Sequence, residues 1–322
     1  MDIVRTMRET NNNVFILFMI SLLCYIYFAV LDQTEKQVSV PMLLCQIEIK
    51  IFVSRIKEKS YNMEFRPCID IHNGCVKQII GSSLQDEGNA AKENFVAGQD
   101  AVYYAELYKK HKIKNGHIIM LNHAESSYYE ATKAQALAAL LAWPGGLQAG
   151  GGITPENAAQ FLDAGASHVI VTSYVFSDGR INFENLHKMV KETGKERLVL
   201  DLSCRIKNGS YHIVTDRWQK YTDVILKKET LDELSSYCDE FLVHAVDVEG
   251  KAEGIEEDLV EILGNWNKIP VTYAGGVHSF DDLRRLKELG HDKIHVTIGS
   301  ALDLFGGTMR FEEVLSFLDK KF

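Results

Sequence analysis

The chain has 322 residues, 46% of them hydrophobic and 25% charged, which is typical of a globular protein with a large core. Its formal net charge is −9 at pH 7 without a broad basic excess, which argues against a nucleic-acid-binding protein. The six cysteines form no CxxC pair and no cluster with zinc-ligand spacing, so we expect reduced thiols.

The first 63 residues differ in pattern from the rest. Residues 14–31 are apolar except for Ser21, and two arginines precede them. This is typical of a signal anchor or a short membrane-spanning helix, since about 20 apolar residues span a bilayer. It fits an organelle transit peptide poorly, because those are amphipathic and rich in Ser and Arg. An artefact of the gene model, with Met63 as the true start, is a third interpretation.

From residue 64 onward, short apolar runs alternate with amphipathic stretches. Such runs, bounded by Gly or polar residues, predict buried parallel strands. The predicted strands are residues 65–71, 117–121, 147–149, 168–172, 198–202, 241–245, 271–274 and 294–298. The predicted helices are residues 99–111, 131–143, 155–163, 183–193, 229–237, 256–266, 280–289 and 311–319.

Eight strand–helix units predict an α/β protein with a (β/α)8 TIM barrel over residues 64–322, preceded by an N-terminal extension over residues 1–63. The barrel sequence contains a two-fold repeat. A Gly-Gly pair at 151–152 recurs 124 residues later at 275–276, and Asp70 recurs 131 residues later as Asp201. We therefore expect a half-barrel duplication, for which an open doubly wound sheet accounts less well.

Small residues at the ends of four predicted strands indicate two anion sites that face each other across the barrel mouth. Glycine N–H groups approach phosphate oxygens closely, and the following helix N-terminus adds partial positive charge. A single glycine pair more often only makes a tight turn, but two copies with small or hydroxyl residues on the next strand favour phosphate binding. The predicted phosphate-binding residues are Gly152, Thr172 and Ser173 in the first copy and Gly276, Gly299 and Ser300 in the second.

Asp70 and Asp201 end strands one and five, which lie opposite each other in an eight-stranded barrel. A lone aspartate at a strand end is often a helix cap or an ion-pair partner. Two at matching repeat positions favour catalysis, with one as general base and one as general acid. The sequence thus predicts acid–base chemistry on a small molecule with a phosphate at each end.

Other residues near the mouth are weaker candidates for substrate contacts. Lys77 is a candidate to neutralise a phosphate or is simply solvated, and Asp247 is a candidate to position substrate. Arg217 and Trp218 lie in the loop after strand five. In one interpretation Arg217 contacts an anion and Trp218 stacks on a heterocycle. In the other, Trp218 only fills the interior of the loop. Histidines at strand ends, including His244, are more often structural donors, so they stay unassigned. Asn208-Gly209 predicts a type I′ hairpin in the same loop.

Several motifs together resemble the ProFAR isomerases of histidine biosynthesis, the phosphoribosylformimino-aminoimidazole carboxamide ribotide isomerases. The resemblance covers about residues 64–322 and is strongest to the eukaryotic branch. The motifs are PCIDIHNGCVK at 67–77, QAGGGI at 148–153, VLD at 199–201, FLVHAVDVEG at 241–250, AGGV at 274–277 and IGSAL at 298–302.

The resemblance implies a duplicated barrel that converts an aminoaldose to an aminoketose by an Amadori rearrangement. It implies that Asp201 protonates the ribose ring oxygen as general acid and that Asp70 removes the C2′ proton as general base. It implies no metal, cofactor or nucleic acid, and we expect a monomer without an obligate protein partner. A plant enzyme of this kind is expected in the plastid stroma and a fungal one in the cytoplasm.

The sequence departs from bacterial members of the family at Ala245, where those carry Thr. This removes a hydroxyl that would orient the acid or the substrate. One alternative is the cyclase subunit of imidazole glycerol phosphate synthase, which needs ammonia from a glutaminase region that this chain lacks. Another is a non-catalytic phosphosugar-binding barrel, against which the two aspartates argue.

Overall fold

The computed structural model describes residues 62–79, 93–251 and 253–319. Eight parallel strands form one sheet in chain order. They are β1 Cys68–His72, β2 Gly116–Met120, β3 Leu147–Gly150, β4 Val169–Val171, β5 Leu198–Asp201, β6 Glu240–His244, β7 Val271–Ala274 and β8 Ile294–Thr297. The helices are α1 Ala101–Lys110, α2 Tyr129–Ala142, α3 Pro155–Asp163, α4 Phe183–Thr193, α5 Lys228–Leu234, α6 Glu257–Trp266, α7 Phe280–Leu289 and α8 Phe311–Asp319.

The sheet closes on itself at a seam between the start of the first strand and the last strand. Phe65 pairs with Val296 in a parallel bridge. The Arg66 N–H donates to the Val296 carbonyl at 2.8 Å, and the Val296 N–H donates to the Glu64 carbonyl at 2.9 Å. Continuous pairing begins only at Cys68, three residues later than predicted, because Pro67 has no N–H to donate. The closed (β/α)8 barrel confirms the predicted fold.

The start of α7 is stabilised by a side-chain cap. Ser279 precedes α7, and its hydroxyl accepts from the Asp282 N–H at 3.2 Å, while the Asp282 carboxylate accepts from the Ser279 N–H at 2.9 Å. This reciprocal capping box satisfies two donors at the helix start. Helix α5 ends at Leu234 rather than at the predicted residue 237. After Leu234 the chain forms a tighter turn, in which the Tyr237 N–H donates to the Leu234 carbonyl at 3.0 Å.

Apolar side chains fill two regions around the strands. On β1, Ile69 and Ile71 are fully buried within the main core, so the alternate positions of the strand point into the barrel. A second, small cluster of Ile170, Val199 and Leu242 fills the barrel interior. The barrel is therefore a packed core whose open end alone can receive a ligand.

A buried polar network closes the barrel at the N-terminal ends of the strands. Arg66 pairs with Glu240 and also donates to the Thr272 hydroxyl at 3.0 Å. Gln148 donates to the second Glu240 oxygen at 2.9 Å. Removing one partner of such a buried pair costs about 3–5 kcal/mol, so this end of the barrel serves stability.

Two insertions follow the strands that carry the repeated aspartates, and each contains an Asn-Gly turn. After β1 comes a hairpin of Cys75–Ile79 and Glu93–Val96; after β5 comes a three-stranded sheet of Cys204–Lys207, Ser210–Thr215 and Lys220–Ile225. Asn208 and Gly209 have φ of 53° and 75°, which confirms the predicted type I′ turn. The first hairpin and the third strand of the second insertion were not predicted.

The predictions for the N-terminal extension fall on residues 1–61, which lie outside the described residues. The apolar segment 14–31 and the proposed domain boundary therefore stay predictions. Among the described ranges, no helix has the length and apolar character needed to cross a membrane. Four of the six cysteines lie in these ranges, and all four are free thiols.

Candidate active site

A depression of about 470 Å³, partly open to solvent, lies at the C-terminal ends of the strands. Its walls include Asp70, His244 and Glu249, together with the glycine-rich ends of β7 and β8. The structure thus brings one predicted catalytic aspartate next to one predicted phosphate site. The residues of that site are Gly276, Gly299 and Ser300.

Asp70 points into the barrel from β1. Burial raises the pKa of its carboxyl to about 7, with a further upward contribution from Glu249, while His244 opposes the shift. A carboxyl that titrates near neutrality can both accept and release a proton at physiological pH. This is the property that a general base in the mouth requires.

Asp201 lies at the end of β5 and is held by several donors. Its Oδ1 accepts from the Ser203 N–H at 2.9 Å and from the Ser203 hydroxyl at 2.6 Å, and its Oδ2 accepts from the Thr172 hydroxyl at 3.1 Å. Burial acts to raise the pKa of Asp201, but the contacts with His244 and Ser203 outweigh burial and lower it. Asp201 is therefore ionised at neutral pH. Ser203 and Thr172 each donate a hydroxyl hydrogen bond to the carboxylate.

Two histidines lie close together in the same mouth, and their pKa values shift in opposite directions. Burial lowers the pKa of His244, but Asp201 and the neighbouring carboxyls outweigh burial and raise it. Burial and the nearby His244 lower the pKa of His117 to about 3. Their rings lie 5.9 Å apart, and of the two histidines His244 is the one that binds a proton more readily.

The second glycines of the two pairs, Gly276 and Gly152, have different surroundings. A Cβ on Gly276 would lie 1.8 Å from the Gly254 carbonyl oxygen, so the loop after β6 packs directly on this backbone. A Cβ on Gly152 would meet nothing within 4 Å, although its φ of 72° still favours glycine. Gly152 therefore leaves open space above the end of β3, as expected of a position that an anion approaches.

None of the three residues of the first predicted phosphate site, Gly152, Thr172 and Ser173, lines the depression. The Thr172 hydroxyl is bonded to Asp201, and the Ser173 hydroxyl accepts from the Asp216 N–H at 3.2 Å. The loop after β5 thus folds over the end of β4. It also carries Trp218 to 5.5 Å from the His244 ring, measured between ring centroids, so Trp218 reaches the mouth as a stacking residue would.

Two weaker candidates for substrate contacts lie away from the depression. Asp247 accepts from the Arg205 Nε at 2.9 Å and from the Ile206 N–H at 2.8 Å, so it holds the insertion after β5 in place. Lys77 is buried on the hairpin after β1, paired opposite Val96. Neither residue lines the depression that contains Asp70.

Among the described residues, one cluster has donor atoms close enough to hold a metal ion. Atoms of Cys68, Asp70 and His117 lie within 4.8 Å of one another. Burial, with the nearby Asp70 carboxyl adding to it, raises the pKa of the Cys68 thiol well above its usual value. Since a thiol binds metal as the thiolate, this cluster fits a metal poorly.

Sequence reasoning missed two residues around the catalytic candidates, Ser203 and Glu249, and it left His244 without a role. Ser203 follows Asp201 by two residues, a spacing at which an aspartate commonly bonds the backbone N–H ahead of it, and this was a usable signal. His244 was recognised as a residue at a strand end, but its contact with Asp201 depends on the packing of β6 against β5. Glu249 reaches the mouth through the loop after β6, which no local pattern encodes.

A closed barrel with buried carboxyls, a histidine and glycine-rich strand ends in its mouth has the architecture of an enzyme of the TIM-barrel class. Comparison with known proteins is consistent with this class. The chain belongs to the histidine biosynthesis protein family, whose family model matches residues 64–309.

Curated relatives carry one name, 1-(5-phosphoribosyl)-5-((5-phosphoribosylamino)methylideneamino)imidazole-4-carboxamide isomerase; the compound in that name is ProFAR. The chloroplastic protein of Medicago truncatula is 53% identical over 260 residues, covering 80% of this chain and 82% of the relative. The Yarrowia lipolytica protein is 45% identical over 266 residues, covering 80% and 98%. The Saccharomyces cerevisiae protein is 40% identical over 266 residues, covering 80% and 99%.

Proposed function

We propose that this chain is an isomerase of histidine biosynthesis that converts the aminoaldose ProFAR to its aminoketose by an Amadori rearrangement. The family membership and the relatives' shared name support this reaction. The observation that carries it in the structure is Asp70, a carboxyl with a pKa of about 7 in the same depression as the glycine-rich ends of β7 and β8.

The reaction needs a proton donor at the ribose ring oxygen and a base at C2′. Protonation of the ring oxygen breaks its bond to C1′, and the amine lone pair forms a C=N bond. Asp70 then removes the C2′ proton to give an enol-amine, which tautomerises to the ketone. Asp70 and Asp201 are the proposed catalytic pair, and Gly276, Gly299 and Ser300 hold one phosphate. Gly152, Thr172 and Ser173 hold the other, once the loop over β4 moves.

Two alternatives compete with this proposal. A cyclase subunit of imidazole glycerol phosphate synthase is disfavoured, because relatives covered over 82–98% of their length are named as isomerases. A non-catalytic phosphosugar-binding barrel is disfavoured by the perturbed pKa values of Asp70 and Asp201. Carboxylates next to the two phosphate groups would not increase the affinity for the ligand, so binding alone does not explain them.

The direct test uses the purified full chain with ProFAR, with a downstream synthase to detect the product. We expect turnover that is unchanged in saturating chelator. Absence of conversion by a folded protein would refute the isomerase proposal. Conversion that chelator abolishes would keep the reaction but refute its metal independence.

The compartment and assembly state belong to the same proposal. We place the enzyme in the plastid, since a relative at 53% identity is chloroplastic, and we propose a monomer that acts without a protein partner. A fluorescent fusion of residues 1–63 should accumulate in plastids of plant cells, and cytoplasmic fluorescence would contradict this placement. Light scattering on the purified chain should give the mass of one chain, 36.4 kDa.

A further inference from the structure

The tip of the insertion after β5 carries Trp218 to the mouth. This tip is the turn between the strands Ser210–Thr215 and Lys220–Ile225. Asp216, Arg217 and Trp218 follow one another in the turn with φ of 55°, 54° and 67°. Non-glycine residues keep such left-handed conformations only where the surrounding structure holds them. The position of Trp218 therefore depends on how firmly the insertion is attached to the barrel.

On the β6 side, the carboxylate of Asp247 attaches the first strand of the insertion. Its Oδ1 accepts from the Arg205 Nε at 2.9 Å, and its Oδ2 accepts from the Ile206 N–H at 2.8 Å. Both oxygens of one carboxylate thus bind neighbouring residues of the same strand. The side chains of Arg205 and Asp247 are 32% and 29% exposed, so solvent screens their charge-assisted hydrogen bond only in part.

Glu256, the residue before α6, attaches the second strand of the insertion. Its carboxylate accepts from the Tyr211 hydroxyl at 3.2 Å, and its N–H donates to the hydroxyl of Tyr273 at 2.9 Å. Tyr273 is fully buried on β7, so Glu256 is itself fixed to the barrel. The Tyr211 contact is longer than the Arg205 contact and its donor is neutral, so Asp247 supplies the stronger of these two attachments.

On the β4 side, backbone N–H groups hold the insertion. The Asp216 N–H donates to the Ser173 hydroxyl at 3.2 Å, and the Asp223 N–H donates to the Gly179 carbonyl at 2.7 Å. Ser173 belongs to the first predicted phosphate site, so the proposed function requires it to exchange Asp216 for the substrate. The attachment at Asp247 uses no residue of a phosphate site and can persist while substrate binds.

The loop that carries Asp247 keeps its shape without help from this carboxylate. The Val248 N–H donates to the Ala245 carbonyl at 3.2 Å, and the Glu249 N–H donates to the Val246 carbonyl at 3.3 Å. Both hydrogen bonds are between backbone groups. Loss of the Asp247 carboxylate therefore acts on the insertion and leaves Glu249 in its place in the depression.

We propose that Asp247 is a positioning residue that acts on the substrate through Trp218. By attaching the insertion to the loop after β6, it keeps the indole of Trp218 over the mouth, where the indole stacks on the imidazole ring of ProFAR. This inference rests on the proposed function and deepens it, because it gives a role to a residue that does not line the depression. The imidazole ring is remote from the C1′ and C2′ atoms that react, so stacking contributes equally to binding of the substrate and of the transition state.

The first experiment measures kcat and KM of the full chain with ProFAR. We expect Asp247→Ala to raise KM by about 10-fold and to keep kcat within about threefold of wild type, because a loss of uniform binding appears in KM alone. Asp247→Asn keeps an acceptor oxygen for the Ile206 N–H, so its KM should rise less. Asp232→Ala is the matched control, since it removes a carboxylate on α5 that accepts from the Trp266 Nε1 at 2.8 Å, and it should leave KM unchanged.

A double-mutant cycle tests whether Asp247 acts through Trp218. Trp218→Ala should raise KM at least as much as Asp247→Ala does. Adding Asp247→Ala to Trp218→Ala should raise KM no further, because the residue through which Asp247 acts is already gone.

Acrylamide quenching gives a readout that needs no substrate. The emission of Trp218 is obtained as the difference between a chain that carries it and the matched Trp218→Phe chain. We expect this emission to become more accessible to acrylamide in Asp247→Ala and to stay unchanged in the control Asp232→Ala.

Thermal midpoints show whether each variant folds. If Asp247→Ala does not fold, Arg205→Gln replaces it, because this substitution breaks the same ion pair from the other side. The inference is overturned if KM of the folded variant stays at the wild-type value, if the effects of the Asp247 and Trp218 variants on KM add, or if the quenching of Trp218 does not change. Failure of the proposed function is distinct, because wild type itself would then leave ProFAR unchanged while the change in quenching would still appear.

Discussion

The two half-barrels place an aspartate at the same position and give it opposite character. Asp70 is half-buried in the mouth and desolvation raises its pKa to about 7, whereas Asp201 is held by Ser203, Thr172 and His244 and its pKa falls. The duplicated scaffold thus sets where a carboxyl stands, and the neighbouring side chains set whether it carries a proton. One repeated position can in this way serve two roles in acid–base chemistry.

Replacing the carboxyl of the first half should have the largest effect. Asp70→Asn removes the base without changing the shape of the side chain, so we expect kcat with ProFAR to fall by at least about 10²-fold with little change in KM. Steady-state kinetics on the folded variant provide the measurement. A rate near that of wild type would show that the first half does not supply the base.

The second glycine of each pair can be compared between the two halves by replacing it with alanine. In Gly276→Ala the new Cβ meets the Gly254 carbonyl at 1.8 Å, so the backbone must move, and we expect the free energy of unfolding to fall by about 3 kcal/mol or more. In the matched variant Gly152→Ala only the backbone conformation is strained, at a cost of about 1–2 kcal/mol. Urea denaturation measures both, and equal losses would contradict the asymmetry.

The smallest expected effect is on the pH dependence of folding stability. Its sign should differ between the two aspartates. The folded pKa of Asp70 is above its ordinary value of 3.8, so Asp70 costs stability as pH rises toward 7 and beyond. Asp70→Asn should therefore raise the thermal midpoint at pH 8 by a few degrees, with the gain vanishing below about pH 4.

The folded pKa of Asp201 is depressed, so Asp201 contributes stability above 3.8 that is lost as pH falls. Asp201→Asn should lower the midpoint at pH 8. Shifts of the same sign in the two variants would show that the halves do not differ in this way.

Much of the fold was predictable because each barrel strand is short, apolar and bounded by a turn residue or a cap. The predicted start of β1 was wrong because Phe65 and Val296 pair in isolation on one side of Pro67, a tertiary effect that apolar periodicity cannot register. The hairpin Cys75–Ile79 was missed although Asn73-Gly74 offered the same turn signal as Asn208-Gly209.

For the candidate site, the sequence predicted the positions of Asp70 and Asp201 but not their protonation. Protonation depends on burial and on neighbours from other strands, such as His244 on β6 and Thr172 after β4, and a linear pattern does not reveal which of these meet. The roles inferred from the family resemblance therefore need the three-dimensional neighbours before acid and base can be told apart.

The seam at Phe65 and Val296 has a consequence for biosynthesis. The contact between Glu64 and His295 joins residues that are 231 positions apart in the chain. The outer edge of the first strand therefore stays unpaired in a nascent chain until the last strand has been synthesised. While translation proceeds, two unpaired edges and an unburied ion-pair network face the cytosol, and such edges promote aggregation. We expect newly made chains to engage a chaperone until the eighth strand leaves the ribosome.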